Sequence, residues 1–136
     1  MRNFKFIFVI AISATAVGLG HTLALRDYLY WRYSWFDMPV HFFGGMLVAL
    51  TFFFMVRFFT RHSLTLRTHR LYIWGTVLSS LLVGFFWEAF EWQAGLTVMN
   101  ERTAVDTSGD IFMNMAGAAL AFLVYKFIYK EDSYVR

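Results

Sequence analysis

The sequence predicts an all-α protein, a polytopic membrane helical bundle with four transmembrane helices. The first observation is composition: 59% of the 136 residues are hydrophobic and only 15% are charged, compared with about 25% charged residues in soluble domains. The second is that four apolar segments reach or approach the roughly 20 residues that a helix needs to cross a bilayer. The third is that basic residues flank these segments. A chain of this length has the size of a single domain, so we expect one four-helix transmembrane domain over residues 1–136.

The predicted spans, in chain order, cover residues 6–25, 38–58, 71–92 and 108–129. Span one follows Arg2 and Lys5, as the apolar part of a signal peptide would. It is long for such a segment, and no A-x-A cleavage pattern follows it, so we interpret it as a membrane anchor. Span two is the apolar run after Asp37, span three carries no charge until Glu88, and span four contains Asn114.

Basic residues set the predicted orientation. They lie before span one, between spans two and three, and after span four: Arg2, Lys5, Arg57, Arg61, Arg67, Arg70, Lys126, Lys130 and Arg136. An even number of spans puts these regions on one side of the membrane, which the positive-inside rule makes cytoplasmic. We therefore expect a multi-pass protein of the bacterial inner (cytoplasmic) membrane, surrounded by the lipid bilayer, with both termini in the cytoplasm. The net charge of +3 does not indicate nucleic-acid binding, because the basic residues form no stripe on a soluble face.

Polar side chains gather at the opposite, outward end of the spans. They are His21, Asp37, His41, Glu88, Glu91, Asp106, Asp110 and Asn114. On spans two, three and four these residues are three or four positions apart, a spacing that puts them on one helix face. Small residues continue each face into the membrane, for example Ala14 and Gly18 on span one, and small residues mark close helix approaches. We therefore expect the polar faces to point toward one another and not toward lipid.

Several of these acids also have simpler structural interpretations. Asp37 is a favoured residue for capping the start of span two, and Asp106 or Asp110 would suit the helix dipole at the start of span four. Glu88 and Glu91 fit no such role, because they lie in the last turn of span three, where the dipole disfavours acids, and they repel each other. Removing them from water requires compensation by a metal ion, a histidinium, an arginine or protonation.

The predicted cluster suits a divalent cation, because carboxylates favour Mg²⁺ or Mn²⁺ and an imidazole permits Zn²⁺ or Fe²⁺. The predicted metal ligands are Asp37, His41, Glu88, Glu91, Asp106 and Asp110. Glu88, Glu91 and Asp110 are also the predicted catalytic groups, and Arg102 and Asn114 are predicted to bind substrate. A bound metal would activate water or polarise a phosphoryl oxygen near the lipid headgroups. These features predict a metal-dependent membrane hydrolase or transferase that acts on a lipid-linked or cell-envelope substrate.

Two non-enzymatic functions stay open from the residues alone. A proton- or cation-coupled transporter would use the same ionisable groups. The inner half of the spans, however, offers few polar residues for a path across the membrane: Thr51, Thr76, Ser79 and Ser80. A non-enzymatic subunit of a larger membrane complex, or a homo-oligomer, would instead use the Phe-rich outer faces of the helices to bind its partners.

The polar motifs, taken together, resemble those of the VanZ-like and YjdF-like small bacterial inner-membrane proteins. The motifs are D-x-x-x-H from Asp37, E-x-x-E from Glu88, and R-x-x-x-D-T-x-x-D-x-x-x-N-x-x-G from Arg102 to Gly117. The VanZ-like pattern has D-K-x-x-H and E-x-x-Q, so this chain departs from it at Met38 and Glu91, whereas Glu91 and Asp106-Thr107 are closer to the YjdF-like branch. The resemblance implies a multi-helix inner-membrane protein, and VanZ-like proteins are associated with glycopeptide (teicoplanin) resistance.

Overall fold

The computed structural model describes residues 2–33, 35–60, 66–95 and 103–129. The helices, in chain order, are α1 (Arg2–Arg26), α2 (Leu29–Arg32), α3 (Asp37–Thr60), α4 (Leu66–Gln93) and α5 (Thr103–Tyr129). Within the described residues, the segments long and apolar enough to cross a membrane are Phe4–Arg26, Asp37–Phe59, Arg70–Gln93 and Val105–Tyr129. The protein is therefore an all-α polytopic membrane bundle with four transmembrane helices in the described part of the chain, and the predicted fold class is confirmed.

The contact between α3 and α5 is the most extensive helix pair in the bundle. It depends on Gly45 and Gly117. A Cβ atom at Gly45 would collide with the backbone of Asn114, and one at Gly117 would collide with the backbone of Phe42. Small residues let transmembrane backbones approach closely, so that dispersion and interhelical hydrogen bonds hold the helices together in lipid.

An aromatic core fills one half of the bundle. Phe53 of α3, Tyr72 of α4 and Tyr125 of α5 are each at most 1% exposed. The ring of Tyr125 lies 5.1 Å from that of Phe53 and 5.0 Å from that of Tyr72, and the Tyr125 hydroxyl donates a hydrogen bond of 3.2 Å to the Tyr72 hydroxyl. Phe6 of α1 packs edge-on against Tyr125. These contacts close this half of the bundle with packed rings.

The inward face of α1 differs from the prediction. Ala14 and Gly18 are exposed, whereas Ser13 and Ala24 are buried together with Phe6. Apolar residues lie on every side of α1, so the small residues alone did not identify which face packs against the other helices. The Ser13 hydroxyl donates to the Val9 carbonyl oxygen within the same helix, which lets it be buried without a partner on another helix.

Helix termini determine where the polar residues lie. Successive spans run in opposite directions, so the starts of α3 and α5 and the ends of α1 and α4 meet at one end of the bundle. Asp37 begins α3, and Glu91 lies in the last turn of α4. After α4 the chain turns at Gly95, whose φ of +69° is the left-handed conformation typical of a helix stop. We call this end of the bundle the carboxylate end.

The first prediction concerns the α3–α5 contact. Gly45→Ala should lower the free energy of unfolding by about 1–3 kcal/mol, because the added methyl group forces the two backbones apart. Gly18→Ala is the matched control, since a Cβ there meets no atom within 4 Å. Unfolding in SDS, followed by circular dichroism, measures both variants. Equal stability of the two variants would contradict the close approach of α3 and α5.

Candidate functional site

His41 lies at the centre of the carboxylate end. It is on the second turn of α3 and is 4% exposed. Its Nε2 atom is 3.4 Å from Asp37 Oδ2 on the same helix and 3.9 Å from Asp110 Oδ1 on α5. Both distances are longer than an ordinary N–H···O hydrogen bond. Among the described residues Nε2 has no hydrogen-bond partner, although it is buried.

Asn114 fixes the other side of the His41 ring. Its Nδ2 donates a hydrogen bond of 3.1 Å to His41 Nδ1. The amide of Asn114 fits between two glycines, since a Cβ at Gly44 would be 3.8 Å from its Oδ1 and a Cβ at Gly84 would be 3.0 Å from its Nδ2. With Nδ1 accepting this bond, a neutral His41 carries its proton on Nε2 and directs it toward the carboxylates.

Two groups of three side chains come close to the spacing of metal ligands. One contains Asp37, His41 and Glu91, and the other contains His41, Glu88 and Asp110; in each group the ligand atoms all lie within 4.8 Å of one another. An ion with metal–ligand bonds of about 2.0–2.2 Å holds its ligand atoms roughly 3–4.4 Å apart. Small side-chain rotations therefore bring either group to metal-binding distances. We call these five residues the His41 cluster.

Each glutamate of the cluster has one oxygen held by a neighbour. The Thr107 hydroxyl donates to Glu88 Oε2 at 2.8 Å, and the Trp87 indole N–H donates to Glu91 Oε1 at 2.8 Å. Glu88 Oε1 and Asp37 Oδ1 are buried without a hydrogen-bond partner in the described part of the chain. Buried polar atoms are nearly always paired in proteins, so these atoms, together with His41 Nε2, are the ones to which a bound ion, water or substrate would supply a partner.

Aromatic residues and His21 cover the cluster on the side of α1 and α2. His21 Nδ1 and the Tyr30 hydroxyl are 2.8 Å apart and share a hydrogen bond. The His21 ring also lies 5.2 Å from the Trp87 ring in an edge-on contact. Burial raises the pKa of the Tyr30 hydroxyl, and the nearby carboxylates of Asp37 and Glu91 raise it further. Tyr30 therefore stays protonated and available as a hydrogen-bond donor or acceptor.

The structure brings together most of the residues that the sequence selected, but not all. Those that meet are Asp37, His41, Glu88, Glu91, Asp110 and Asn114. Asp106 is exposed on α5 and belongs to neither group of three. Each step of four residues rotates around a helix by about 40° beyond a full turn, so Asp106 is turned away from the face that Asn114 shares with His41. Arg102 lies outside the described residues.

Three contacting residues were not selected from the sequence. Trp87 precedes Glu91 by four positions and Thr107 precedes Asp110 by three, so the rule that such neighbours share a face would have found both. Tyr30 reaches His21 only because α2 folds the connection back over the end of α1, and no periodicity in the sequence signals that turn.

The chain matches one family model. That model is described as "Predicted membrane protein (DUF2238)", and it matches residues 1–131. No curated protein and no solved structure matches the chain. The family description agrees with the four candidate spans of the described residues.

The second prediction concerns the hydrogen bond that the Trp87 indole donates to Glu91. Trp87→Phe removes the indole donor and leaves a buried carboxylate oxygen unpaired, which should cost about 1–3 kcal/mol of stability. Trp92→Phe is the control, because Trp92 is 58% exposed. Adding Glu91→Gln to each variant completes a double-mutant cycle, measured by unfolding in SDS. A coupling energy near zero between positions 87 and 91 would contradict the hydrogen bond.

Proposed function

For this chain, which belongs to the DUF2238 family of predicted membrane proteins, we propose a divalent-metal centre that acts on a lipid-linked or cell-envelope substrate. The observation that supports it most strongly is the His41 cluster, in which the buried imidazole of His41 belongs to two groups of possible ligands. Ionisable residues at membrane depth are expensive and usually functional. Here they come from three separate helices and meet at one point.

The charge of the cluster supports the choice of a cation. Four carboxylates, those of Asp37, Glu88, Glu91 and Asp110, surround one imidazole. Like charges a few ångströms apart repel one another strongly where the effective dielectric constant is well below that of water. A divalent ion bound by His41 Nε2 and the carboxylate oxygens offsets this repulsion and provides partners for the unpaired atoms. One nitrogen with several oxygens suits Zn²⁺, Mn²⁺ or Fe²⁺, and Mg²⁺ if water replaces the imidazole.

The proposed roles follow from position. His41, Glu88 and Asp110, one of the two groups with close ligand atoms, would hold the ion, with Asp37 beside the imidazole. Glu91 would accept a proton from the water that attacks the substrate. Asn114 contacts His41 directly. We propose that it also orients the imidazole, as outer hydrogen-bond partners of metal ligands do. With an ion held at Nε2, His41 would carry its proton on Nδ1, and Asn114 would have to present Oδ1 as the acceptor.

The proposed substrate contacts include Arg102, which precedes α5 in sequence and supplies a cation for a phosphate or carboxylate of the substrate. Asp106, exposed in the first turns of α5, stays outside the proposed metal centre. Its position near Arg102 in sequence suits it to the entrance of the site.

The sequence also suggests to which branch of membrane proteins the chain is related and in which membrane it lies. We propose that the chain is related to VanZ-like and YjdF-like proteins and lies in the bacterial inner membrane with both termini in the cytoplasm. The basic residues Lys5, Arg57 and Lys126 support this orientation, because they lie at the ends of α1, α3 and α5 that are opposite to the carboxylate end.

Packing in the bundle favours an enzyme over a transporter. A transport path would have to continue from the His41 cluster through the other half of the bundle. There Phe53, Tyr72 and Tyr125 are each at most 1% exposed, and their ring centroids lie 5.0–5.4 Å apart. This packing blocks a continuous path through that half of the bundle, which favours a substrate that approaches the cluster from the carboxylate end.

The third prediction tests the metal centre. Purified wild-type protein should contain about one equivalent of a divalent metal. Loss of a residue that only hydrogen-bonds a metal ligand typically lowers metal affinity about 10–100-fold. Asp110→Asn removes a proposed ligand itself and should lower the affinity by more than that. Asp106→Asn is the matched control on the same helix and should keep the metal, because Asp106 is exposed. Elemental analysis, followed by refilling of chelated protein with each metal, gives content and identity.

Two outcomes would contradict the metal centre. One is wild-type protein that binds none of these metals and still turns over or binds its substrate. The other is equal metal loss in Asp106→Asn and Asp110→Asn, because the two aspartates differ in burial and only Asp110 is within reach of His41.

A further inference from the structure

A cavity of about 150 Å³ lies directly beneath the His41 cluster. Its walls are apolar, with Val17 from α1, Val48 from α3 and Val83 from α4, and its polar lining consists of His41 and Asn114 at one end. From Val40 to Val48 the cavity follows two turns of α3, a length of about 12 Å. It is therefore a narrow apolar slot with a polar end, and we call it the Val48 slot.

The Val48 slot lies between α1 and α4. Both helices pack on α3, but their contacts with each other are few. The contact between the rings of His21 and Trp87 joins the two helices at the carboxylate end. Deeper in the bundle Val83, a wall residue of the slot, is 44% exposed, so this wall of the slot reaches the lipid-facing surface of the bundle. A hydrocarbon chain can enter from the bilayer without crossing water.

Two glycines keep the slot open. A Cβ at Gly44 would meet only Asn114 Oδ1, at 3.8 Å, and a Cβ at Gly84 would meet only the amide of the same asparagine. Neither glycine is required for a close backbone approach, in contrast to Gly45 and Gly117. Their missing side chains leave space that larger residues would fill. The volume is similar to that of a cavity of about 150 Å³ that holds one benzene molecule, so it suits a few methylene groups and excludes a headgroup.

We propose that the Val48 slot binds the few methylene groups next to the ester of one acyl chain of a zwitterionic phospholipid, whose headgroup reaches the His41 cluster. The proposal rests on the metal centre proposed above and names the substrate class of that centre. An apolar chain in the slot places the glycerol ester and phosphate at the level of the helix ends, which is where the headgroup region of a bilayer begins. The phosphate then faces the ion.

The charge of the cluster selects the headgroup. When Asp37, Glu88, Glu91 and Asp110 are all ionised, one divalent ion offsets two of these four carboxylates. The remaining negative charge repels a headgroup with a net negative charge and attracts an ammonium group. Phosphatidylethanolamine supplies both groups, a phosphate for the ion and an ammonium for the remaining carboxylates. An anionic lipid such as phosphatidylglycerol supplies only the first.

The test uses the full chain in lipid nanodiscs that contain phosphatidylethanolamine with a diazirine near the ester end of one acyl chain. Photolysis followed by peptide mass spectrometry should place adducts on residues 40–48 and 83–87. Gly44→Leu should lower this labelling roughly tenfold, because a leucine side chain fills most of the slot. Gly18→Leu is the matched control, since its side chain points into open space. Val83→Trp, at the exposed wall, is a second variant that blocks the slot.

The outcomes separate the slot from the metal centre. Equal labelling of wild type, Gly44→Leu and Val83→Trp would overturn the proposal, as would adducts confined to lipid-facing residues such as Leu78, which is 60% exposed. Equal or stronger labelling by the same probe with a phosphatidylglycerol headgroup would overturn the headgroup assignment. Metal content is measured on the same samples. Slot labelling in protein that binds no metal would contradict the metal centre and support the slot, whereas metal-loaded protein without slot labelling would contradict the slot alone.

Discussion

The backbone contact of α3 with α5 through Gly45 and Gly117 is the constraint on which the rest of the structure depends. It sets the register of the two helices, and that register puts His41 beside Asp110 and Asn114. In lipid no hydrophobic force draws helices together, so close packing and interhelical hydrogen bonds must hold them. The same contact therefore stabilises the bundle and builds the centre of the candidate site.

The carboxylate end is costly for the fold. Each buried charge loses several kcal/mol of hydration energy unless a partner compensates for it. Trp87 and Thr107 compensate in part, since each donates one hydrogen bond to a glutamate of the cluster. The atoms of the cluster that stay unpaired among the described residues mark the part of this cost that a bound cation would offset. The aromatic half of the bundle contributes packing that offsets part of this desolvation cost.

Much of this arrangement could be predicted from the sequence, because spacing along a helix and span direction determine which residues reach the same end. Asp37 with His41, and Asp110 with Asn114, follow from these two rules alone. Contacts that depend on the rotation of one helix against another could not be predicted in this way. The exposure of Asp106, the buried face of α1 and the packing of Trp87 against His21 all depend on that rotation, which the uniformly apolar helix surfaces leave undetermined.

The central claim is that His41 binds a divalent ion through Nε2. Electron–nuclear double resonance on Mn²⁺ bound to the purified protein tests it directly, because a coordinated imidazole nitrogen gives a hyperfine coupling. The coupling should be present in the wild type, absent in His41→Gln and unchanged in His21→Gln, since His21 contacts Tyr30 and Trp87 and belongs to neither group of ligand atoms. Bound Mn²⁺ without a nitrogen coupling, or a coupling that persists in His41→Gln, would contradict the claim.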